Sequence, residues 1–266
     1  MIVSAWQALQ RWRTERTLQR RAIPDALWDQ TLERFRFLGG LGDADSVRLR
    51  EMSTLFLAHK QFSGAHGLVV TDAMAVAVAA QACLPILHLG LDWYDGFVGI
   101  VMHADEMLAR RESVDNDGVV HQYDEALSGE AIERGPVTLS WQDVACAGES
   151  AASGYNVVIH ELAHVLDMRD GVADGMPPLP ERELRRQWQQ TFRAHYESFC
   201  DRVDAGEETW LDPYAAQAPS EFFAVSCEAF FVAPRLFQAA HSELYTLLSR
   251  FFRQDPAARE PAPQRP

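Results

Sequence analysis

Residues 157 to 167 read VVIHELAHVLD, an apolar run that contains the pattern HExxH and no glycine or proline. Because residues four apart lie on one face of a helix, His160 and His164 can direct two imidazole nitrogens at a single point. Glu161 lies one step round the same helix and can act on a water molecule at that point. The spacing therefore predicts a zinc site with a glutamate base, which is suited to the hydrolysis of amide bonds.

The residues around this pattern favour a buried helix. Apolar side chains supply a face that can pack against a core, at Ile159, Leu162, Ala163, Val165 and Leu166. Ser153-Gly154, just upstream, offers a signal for the start of the helix. The alternative is a core helix whose two histidines are only hydrogen-bonded, and the pattern by itself leaves that alternative open.

A zinc site of this type needs a third protein ligand. In one class of zinc protease it comes from the extended motif HExxHxxGxxH, but Asp167 and Asp170 occupy the glycine and third-histidine positions here. The other solution is a glutamate from a later helix, for which Glu221 and Glu228 are candidates. Glu221 is preferred because it begins a phenylalanine-rich segment, where a carboxylate is otherwise unexpected. The alternative for Glu221 is a first-turn carboxylate that is only favoured by the helix dipole. Glu228 is expected to be a supporting or surface group.

Two more polar residues could support the reaction. Tyr214, seven residues before Glu221 in a turn that returns toward the helix, could donate to the oxyanion that forms when water attacks a carbonyl. Its alternative is a ring that is simply packed in an Asp-Pro-Tyr turn. Asp167, one turn after the second histidine, could hold an imidazole N–H or could only end the helix. His195 and His241 are isolated in the sequence, and we do not expect them to bind metal.

The composition indicates a globular protein, long enough for one large domain or two small ones, and without an internal repeat or a linker we expect one domain. The chain has 266 residues, of which 47% are hydrophobic, and this is enough for a sizeable core. The formal net charge of -14 argues against binding to nucleic acid or to an anionic membrane, because phosphate groups require clustered lysine and arginine. The arginines near the N-terminus predict a solvated helix face, with a docking surface for an acidic partner as the alternative.

Cysteine usage and the lack of targeting signals predict a cytoplasmic protein. Cys83, Cys146, Cys200 and Cys227 lie far apart without a CxxC pair, so we expect all four to be reduced and buried. The first residues lack the charged lead and apolar core of a signal peptide. No uncharged apolar stretch reaches the roughly 18 residues of a membrane-spanning helix.

The pattern along the chain predicts an α+β fold that is mostly helical. Helical spacing dominates residues 5–62, and Thr71-Asp72 is expected to cap an alanine-rich helix that ends at Pro85. A charged helix is expected from Pro180 to Val203. We expect residues 1–255 to form one domain and residues 256–266, which are rich in proline, alanine and arginine, to form a disordered tail.

A small mixed sheet is expected ahead of the HExxH helix. Its predicted strands are four short β-like runs at 86–89, 96–102, 118–123 and 136–141, with a hairpin-like turn at 115–118. The last run begins with a proline, which suits an edge strand. An extended peptide could add to such an edge beside the hydrolytic site.

Several separate motifs occur in the order in which one known family carries them. GLVVTD lies at residues 67–72 and AQACLPIL at 80–87. HELAHVLD at 160–167 is followed by Asp170-Gly171 and Asp174-Gly175, and SEFFAV lies at 220–225. On these motifs the chain resembles the Mlc titration factor A family, from Pro24 to Phe252.

The resemblance implies a cytosolic bacterial zinc metallopeptidase that binds one zinc ion, for which we expect aminopeptidase-like action. Its catalytic part would be zincin-like, similar in fold to the protease domain of anthrax lethal factor. The resemblance implies zinc ligands at His160, His164 and Glu221, and catalytic roles for Glu161 as the general base and for Tyr214 as the active-site tyrosine.

A second activity is also implied by the resemblance. Binding of the glucose-responsive repressor Mlc would free genes of the sugar phosphotransferase system. The expected partners are therefore a peptide or protein substrate and an Mlc-like repressor, without direct contact to nucleic acid or membrane. The alternative to an enzyme is a protein that sequesters this transcription regulator without catalysis.

Overall fold

A computed structural model describes residues 2–114 and 120–259 of the chain. Within these ranges the protein is mostly helical with a small mixed sheet, so the predicted α+β class is confirmed. The first elements are α1 (Ile2–Arg21), α2 (Asp25–Arg34), α3 (Asp43–His59), β1 (Gln61–Gly64) and α4 (Asp72–Cys83). Thr71 caps α4 as expected, because its side chain accepts the backbone N–H of Met74 at 3.3 Å.

The mixed sheet has four strands in the order β1-β2-β6-β5. The other three strands are β2 (Gly99–His103), β5 (Gly129–Ala131) and β6 (Val137–Ser140). Strands β1, β2 and β6 are parallel, whereas β5 runs antiparallel to β6. The short strand β5 therefore forms one edge of the sheet.

A two-stranded antiparallel hairpin leaves the sheet between β2 and β5. It consists of β3 (Met107–Val114) and β4 (Val120–Leu127). The hairpin-like turn predicted at 115–118 lies outside the described residues. The strand predicted at 118–123 falls on β4, except for its first two residues, which also lie outside them.

The second half of the chain is helical. Its helices are α5 (Trp141–Ser150), α6 (Val157–Asp167), α7 (Arg182–Asp204), α8 (Pro219–Val232), α9 (Pro234–Ala240), α10 (Ser242–Phe252) and α11 (Pro256–Arg259). Helix α8 is buried along almost its whole length and packs against α6. Aromatic rings from α7, α8 and α10 meet in the core, where Trp188 stacks on Phe192 and contacts Phe223 and Phe251 edge-on. The predicted charged helix is therefore α7, and its aromatic stripe is core.

Two predictions about strands are wrong. Residues 86–89 form a turn after α4, in which the N–H of Gly90 donates to the carbonyl of Ile86 at 2.8 Å. Ile86 and Leu87 in this run are buried in the core, and such a short buried apolar run gives the same sequence signal as a strand. The run at 136–141 does contain a strand, β6, but it lies between β2 and β5 and not at the edge. Pro136 precedes the first paired residue, so it does not disturb the ladder.

The predicted tail and the predicted burial of the cysteines are each wrong in part. Residues 256–259 form α11, in which the N–H of Ala257 donates to the hydroxyl of Tyr245 at 2.8 Å; residues 260–266 lie outside the described residues. Cys83 and Cys227 are buried, but Cys146 is exposed on α5 and Cys200 is half-buried on α7. None of the helices within the described ranges combines the length and apolar character needed to cross a membrane.

Candidate metal centre

Helix α6 places the two histidines of the HExxH pattern. Its first residue follows Asn156, whose side chain accepts the N–H of Ile159 at 3.0 Å and so caps the helix. Asn156 is fully buried and donates from Nδ2 to Oε1 of Gln81 on α4 at 2.8 Å. The start signal proposed at Ser153-Gly154 is therefore wrong: these residues lie in the preceding turn, and Asn156 is the cap.

His160, His164 and Glu221 bring three ligand atoms together. Nε2 of His160 lies 3.1 Å from Nε2 of His164 and 3.1 Å from Oε2 of Glu221. Nε2 of His164 lies 3.3 Å from the same oxygen. Ligands at zinc-type distances on a tetrahedral ion are about 3.3 Å apart, so this triangle fits one ion with a fourth position left for another ligand. Among the described residues, these three are the one group of His, Cys, Asp or Glu side chains found with metal-binding geometry.

Helix α8 supplies the carboxylate of Glu221. The residue lies in the first turn of α8, which begins with Pro219, and this turn packs against α6. Burial alone would raise the pKa of Glu221, but hydrogen bonds with His160 and His164 lower it below its ordinary value. The carboxylate is therefore ionised at neutral pH, as a metal ligand must be.

Glu228, two turns further along α8, lies behind His160. Its Oε1 is 2.7 Å from Nδ1 of His160, and its Oε2 accepts the backbone N–H of Asn156. Burial raises the pKa of Glu228, although His160 and the N–H of Asn156 act to lower it. With the carboxylate ionised, His160 donates from Nδ1 and directs the lone pair of Nε2 toward the triangle. The sequence left Glu228 as a supporting or surface group, and the structure makes it a buried support of His160.

The candidate base, Glu161, lies against edge strand β5. It is 5% exposed, and a Cβ added to Gly129 would lie 2.6 Å from its Oε1. Only glycine leaves room for this approach. Burial raises the pKa of Glu161, although His160 and His164 act to lower it. A raised pKa makes the carboxylate a better proton acceptor.

Two tyrosines face this region. Tyr214 lies in a one-turn helix, where its N–H donates to Oδ1 of Asp212 at 2.9 Å. Its ring centre is 6.2 Å from that of His160, and the residue is 37% exposed. Tyr155 was not singled out from the sequence, because a lone tyrosine before a helix carries no signal. Burial raises the pKa of Tyr155 above its ordinary range, so it stays protonated and can donate.

A cavity of about 350 Å³ lies beside these groups. Its lining includes Ser128 and Gly129 next to β5, Tyr155, His160, Glu161, Asp212 and Tyr214. The cavity therefore opens onto one histidine of the triangle, onto the candidate base and onto both tyrosines. A substrate in it would meet groups that can accept and donate protons.

Three other polar residues from the sequence analysis lie apart from the triangle. Oδ2 of Asp167 accepts the N–H of Gly175 at 2.8 Å, so this residue ties the loop after α6 to the end of the helix. His195 pairs with Glu243 at 3.0 Å on the surface of α7. His241 is half-buried, and its ring contacts Phe237.

An HExxH helix that meets a glutamate from a later helix defines the class of metal-dependent peptidases. The family model described as glucose-regulated metallo-peptidase M90 matches residues 9–253, and the chain belongs to this family. The class of the protein is therefore metallopeptidase.

Several proteins called Mlc titration factor A are similar to the chain over most of its length. It is 36% identical over 251 residues to the one from Edwardsiella ictaluri, which covers 93% of this chain and 94% of that protein. For the protein from Serratia proteamaculans the identity is 38% over 251 residues, with 93% of each chain covered. For the one from Klebsiella pneumoniae it is 37% over 235 residues, with 87% of each covered. The resemblance drawn from the sequence motifs is confirmed.

Proposed function

We propose that this protein is a cytosolic zinc-dependent peptidase with a zincin-like catalytic part and aminopeptidase-like action. The observation that carries the proposal is the triangle of His160, His164 and Glu221, whose edges of 3.1 to 3.3 Å suit one tetrahedral ion. Membership of the M90 family supports a metal-dependent peptidase. Four free cysteines are consistent with a reducing compartment.

Zinc is the ion that suits these donors best. Two imidazoles with one carboxylate form a ligand set used by catalytic zinc sites, whereas magnesium and calcium prefer oxygen donors. When bound, zinc supplies a Lewis acid that polarises the substrate carbonyl and makes water acidic enough to react at neutral pH. The proposed ligands are His160, His164 and Glu221.

The chain's own residues would move the protons. Glu161 accepts a proton on its carboxylate from the attacking water and then passes it to the nitrogen of the leaving amine. Its close approach to Gly129 holds the carboxylate beside the edge strand, where the scissile bond would lie. Tyr214 donates its hydroxyl proton in a hydrogen bond to the oxygen that becomes negative.

Edge strand β5 provides a place for the peptide backbone. A substrate that adds to β5 as a further strand would lie along α6, with its scissile bond at Glu161. The carboxylate of Asp212 lines the adjoining cavity. A cavity of this size can hold a short substrate, and cleavage after its first residue is the aminopeptidase-like action proposed here.

Hydrolysis of a panel of amino-acid anilides and unstructured peptides tests this function. Purified protein is stripped of metal with a chelator and assayed before and after one equivalent of zinc is restored. We expect hydrolysis only in the zinc-loaded protein, with the anilides among the substrates. Equal hydrolysis by the stripped and the zinc-loaded protein, or none by either, would contradict the proposal.

A second candidate function is capture of an Mlc-like repressor. The observation that favours it is the name shared by the similar proteins, Mlc titration factor A, at 36% to 38% identity. Pull-down of purified Mlc by metal-stripped protein separates the two functions. Capture that survives chelation while hydrolysis is lost would show two independent activities, and absence of capture in both states would remove this candidate.

A further inference from the structure

A second cavity lies at the far end of β5, away from Tyr214, and we call it the distal cavity. Its volume is about 410 Å³. Five apolar side chains line it, from Trp93, Phe97, Ile132, Val165 and Met168. Val165 and Met168 belong to the segment that carries the HExxH pattern, so the distal cavity begins where α6 ends.

Strand β5 and helix α6 both lead from the candidate base toward the distal cavity, and Ile132 and Met168 are the residues directly after their ends. Gly129 marks the start, because its backbone lies against Glu161. Ile132 is three residues further along the chain, about 10 Å in an extended strand. Met168 is seven residues after Glu161, about 10 Å along a helix and on the same face. The strand and the helix therefore reach the distal cavity at the same distance from Glu161.

The interior of the distal cavity suits an apolar side chain. Both arginines that line it have partners: the guanidinium of Arg169 lies 5.2 Å from the ring centre of Trp93 and donates to the carbonyl of Asp92. Arg134 lies 3.9 Å from the carboxylate of Glu133. Ile132, in contrast, is 49% exposed, so it offers apolar surface that a ligand could cover.

The direction of β5 decides which part of a peptide would reach this cavity. Antiparallel pairing is slightly more stable than parallel pairing, and a peptide antiparallel to β5 would run from the distal cavity toward Glu161. Its residues before the scissile bond would then lie over the distal cavity. At about 3.3 Å per residue, a peptide whose cleaved bond lies at Glu161 reaches the distal cavity with the third residue before that bond.

We propose that the distal cavity binds an apolar substrate side chain at the third residue before the cleaved bond. The inference rests on the proposed peptidase function and goes beyond its aminopeptidase-like part: besides short substrates, the site would also cleave extended peptides internally. Amino-acid anilides, which have one residue before the cleaved bond, are too short to reach the distal cavity.

Longer peptides reach the distal cavity and anilides do not, so a comparison of the two kinds of substrate tests the inference directly. Seven-residue peptides that differ only in leucine or serine at the third position before the cut are compared for kcat/KM, and the cut is located by mass spectrometry. We expect the leucine peptide to be preferred about tenfold. Ile132→Glu should remove this preference and leave both anilide turnover and thermal stability unchanged. Val69→Glu is the matched control, because Val69 is 78% exposed and does not line the cavity.

Binding gives a readout that does not depend on hydrolysis. Fluorescence anisotropy of the labelled leucine and serine peptides is measured with metal-stripped protein. The leucine peptide should bind more tightly to the parent and to Val69→Glu, but not to Ile132→Glu. An Ile132→Glu protein that keeps the leucine preference, or a preference that lies after the cut, would overturn the inference. Failure of the peptidase function would appear differently, as absence of turnover of the anilides.

Discussion

Oε1 of Glu228 lies 2.7 Å from Nδ1 of His160, although the two residues are 68 positions apart in the chain. Glu228 is 2% exposed, and its second carboxylate oxygen accepts the backbone N–H of Asn156, which caps the helix carrying His160. One buried carboxylate on α8 therefore fixes both the start of α6 and the orientation of its first histidine. Such a partner sets the tautomer of an imidazole and directs its other nitrogen.

Replacement of Glu228 by glutamine should weaken zinc binding about 10- to 100-fold, because the imidazole loses its anionic partner. The change keeps the size of the side chain. Competition with a chromophoric chelator measures the affinity, and the thermal stability of the metal-free protein shows whether the variant is folded. Glu243→Gln is the matched control, since Glu243 pairs with His195 on the surface at 3.0 Å. Equal zinc affinity in Glu228→Gln and Glu243→Gln would contradict the role assigned to Glu228.

The base function of Glu161 predicts a different result for Glu161→Gln. Glutamine fills the same space but cannot take a proton, so kcat should fall by at least about 100-fold. Zinc content, measured by elemental analysis, should stay at the value of the parent protein because Glu161 does not belong to the ligand triangle. Turnover equal to that of the parent would show that another group acts as the base.

Tyr214→Phe tests the proposed oxyanion donor. Loss of one such donor typically costs about 100- to 1000-fold in kcat, with little change in KM. The side chain is 37% exposed, so the variant should keep its fold and its affinity for zinc. Steady-state kinetics on an anilide gives the two constants separately. A change in KM alone would indicate that Tyr214 binds substrate and does not stabilise the transition state.

The lowered pKa of His241 predicts that folding stability depends on pH. This dependence does not involve the metal centre. Burial, aided by nearby His195 and Arg202, lowers the pKa of His241 to about 4. Because the ordinary pKa is higher, at 6.5, the unfolded chain binds more protons than the folded protein between these two values. The contribution of the neutral His241 ring to the free energy of unfolding is complete above about pH 6.5 and is lost as the pH falls toward 4.

Urea unfolding of the metal-free protein at pH 7 and pH 5 measures this contribution. After allowance for the partial exposure of the ring, the parent should lose about 1 to 2 kcal/mol more than His241→Gln over this interval. An equal loss in the two proteins would mean that the ring of His241 titrates normally in the folded state.

The part of the site that the sequence predicts is the part that depends on local spacing. His160, Glu161 and His164 lie within five residues, and a helix alone brings them to one place. Glu221 could be preferred from the sequence because a carboxylate stands out among phenylalanines, but two acidic residues of α8 were candidates. The packing of α8 on α6 separates them: one turn places Glu221 beside both histidines, and Glu228 lies behind only one.

The parts that the sequence does not predict depend on contacts between distant segments. The edge of the sheet is β5, a three-residue strand whose short pattern gives no strand signal, whereas the more strand-like β6 lies inside. The cap at Asn156 is recognisable only through its partners, Glu228 and Gln81. The turn at 86–89 looks like a strand in the sequence because Ile86 and Leu87 are apolar and buried, and a short buried apolar run does not distinguish a turn from a strand.

Anomalous X-ray diffraction at the zinc absorption edge, from crystals of the zinc-loaded protein, tests the central claim most directly. The arrangement of α6 and α8 predicts a single strong peak at about 2.0 to 2.2 Å from Nε2 of His160, Nε2 of His164 and a carboxylate oxygen of Glu221. Absence of a peak within this triangle, or a peak coordinated by other residues, would contradict it.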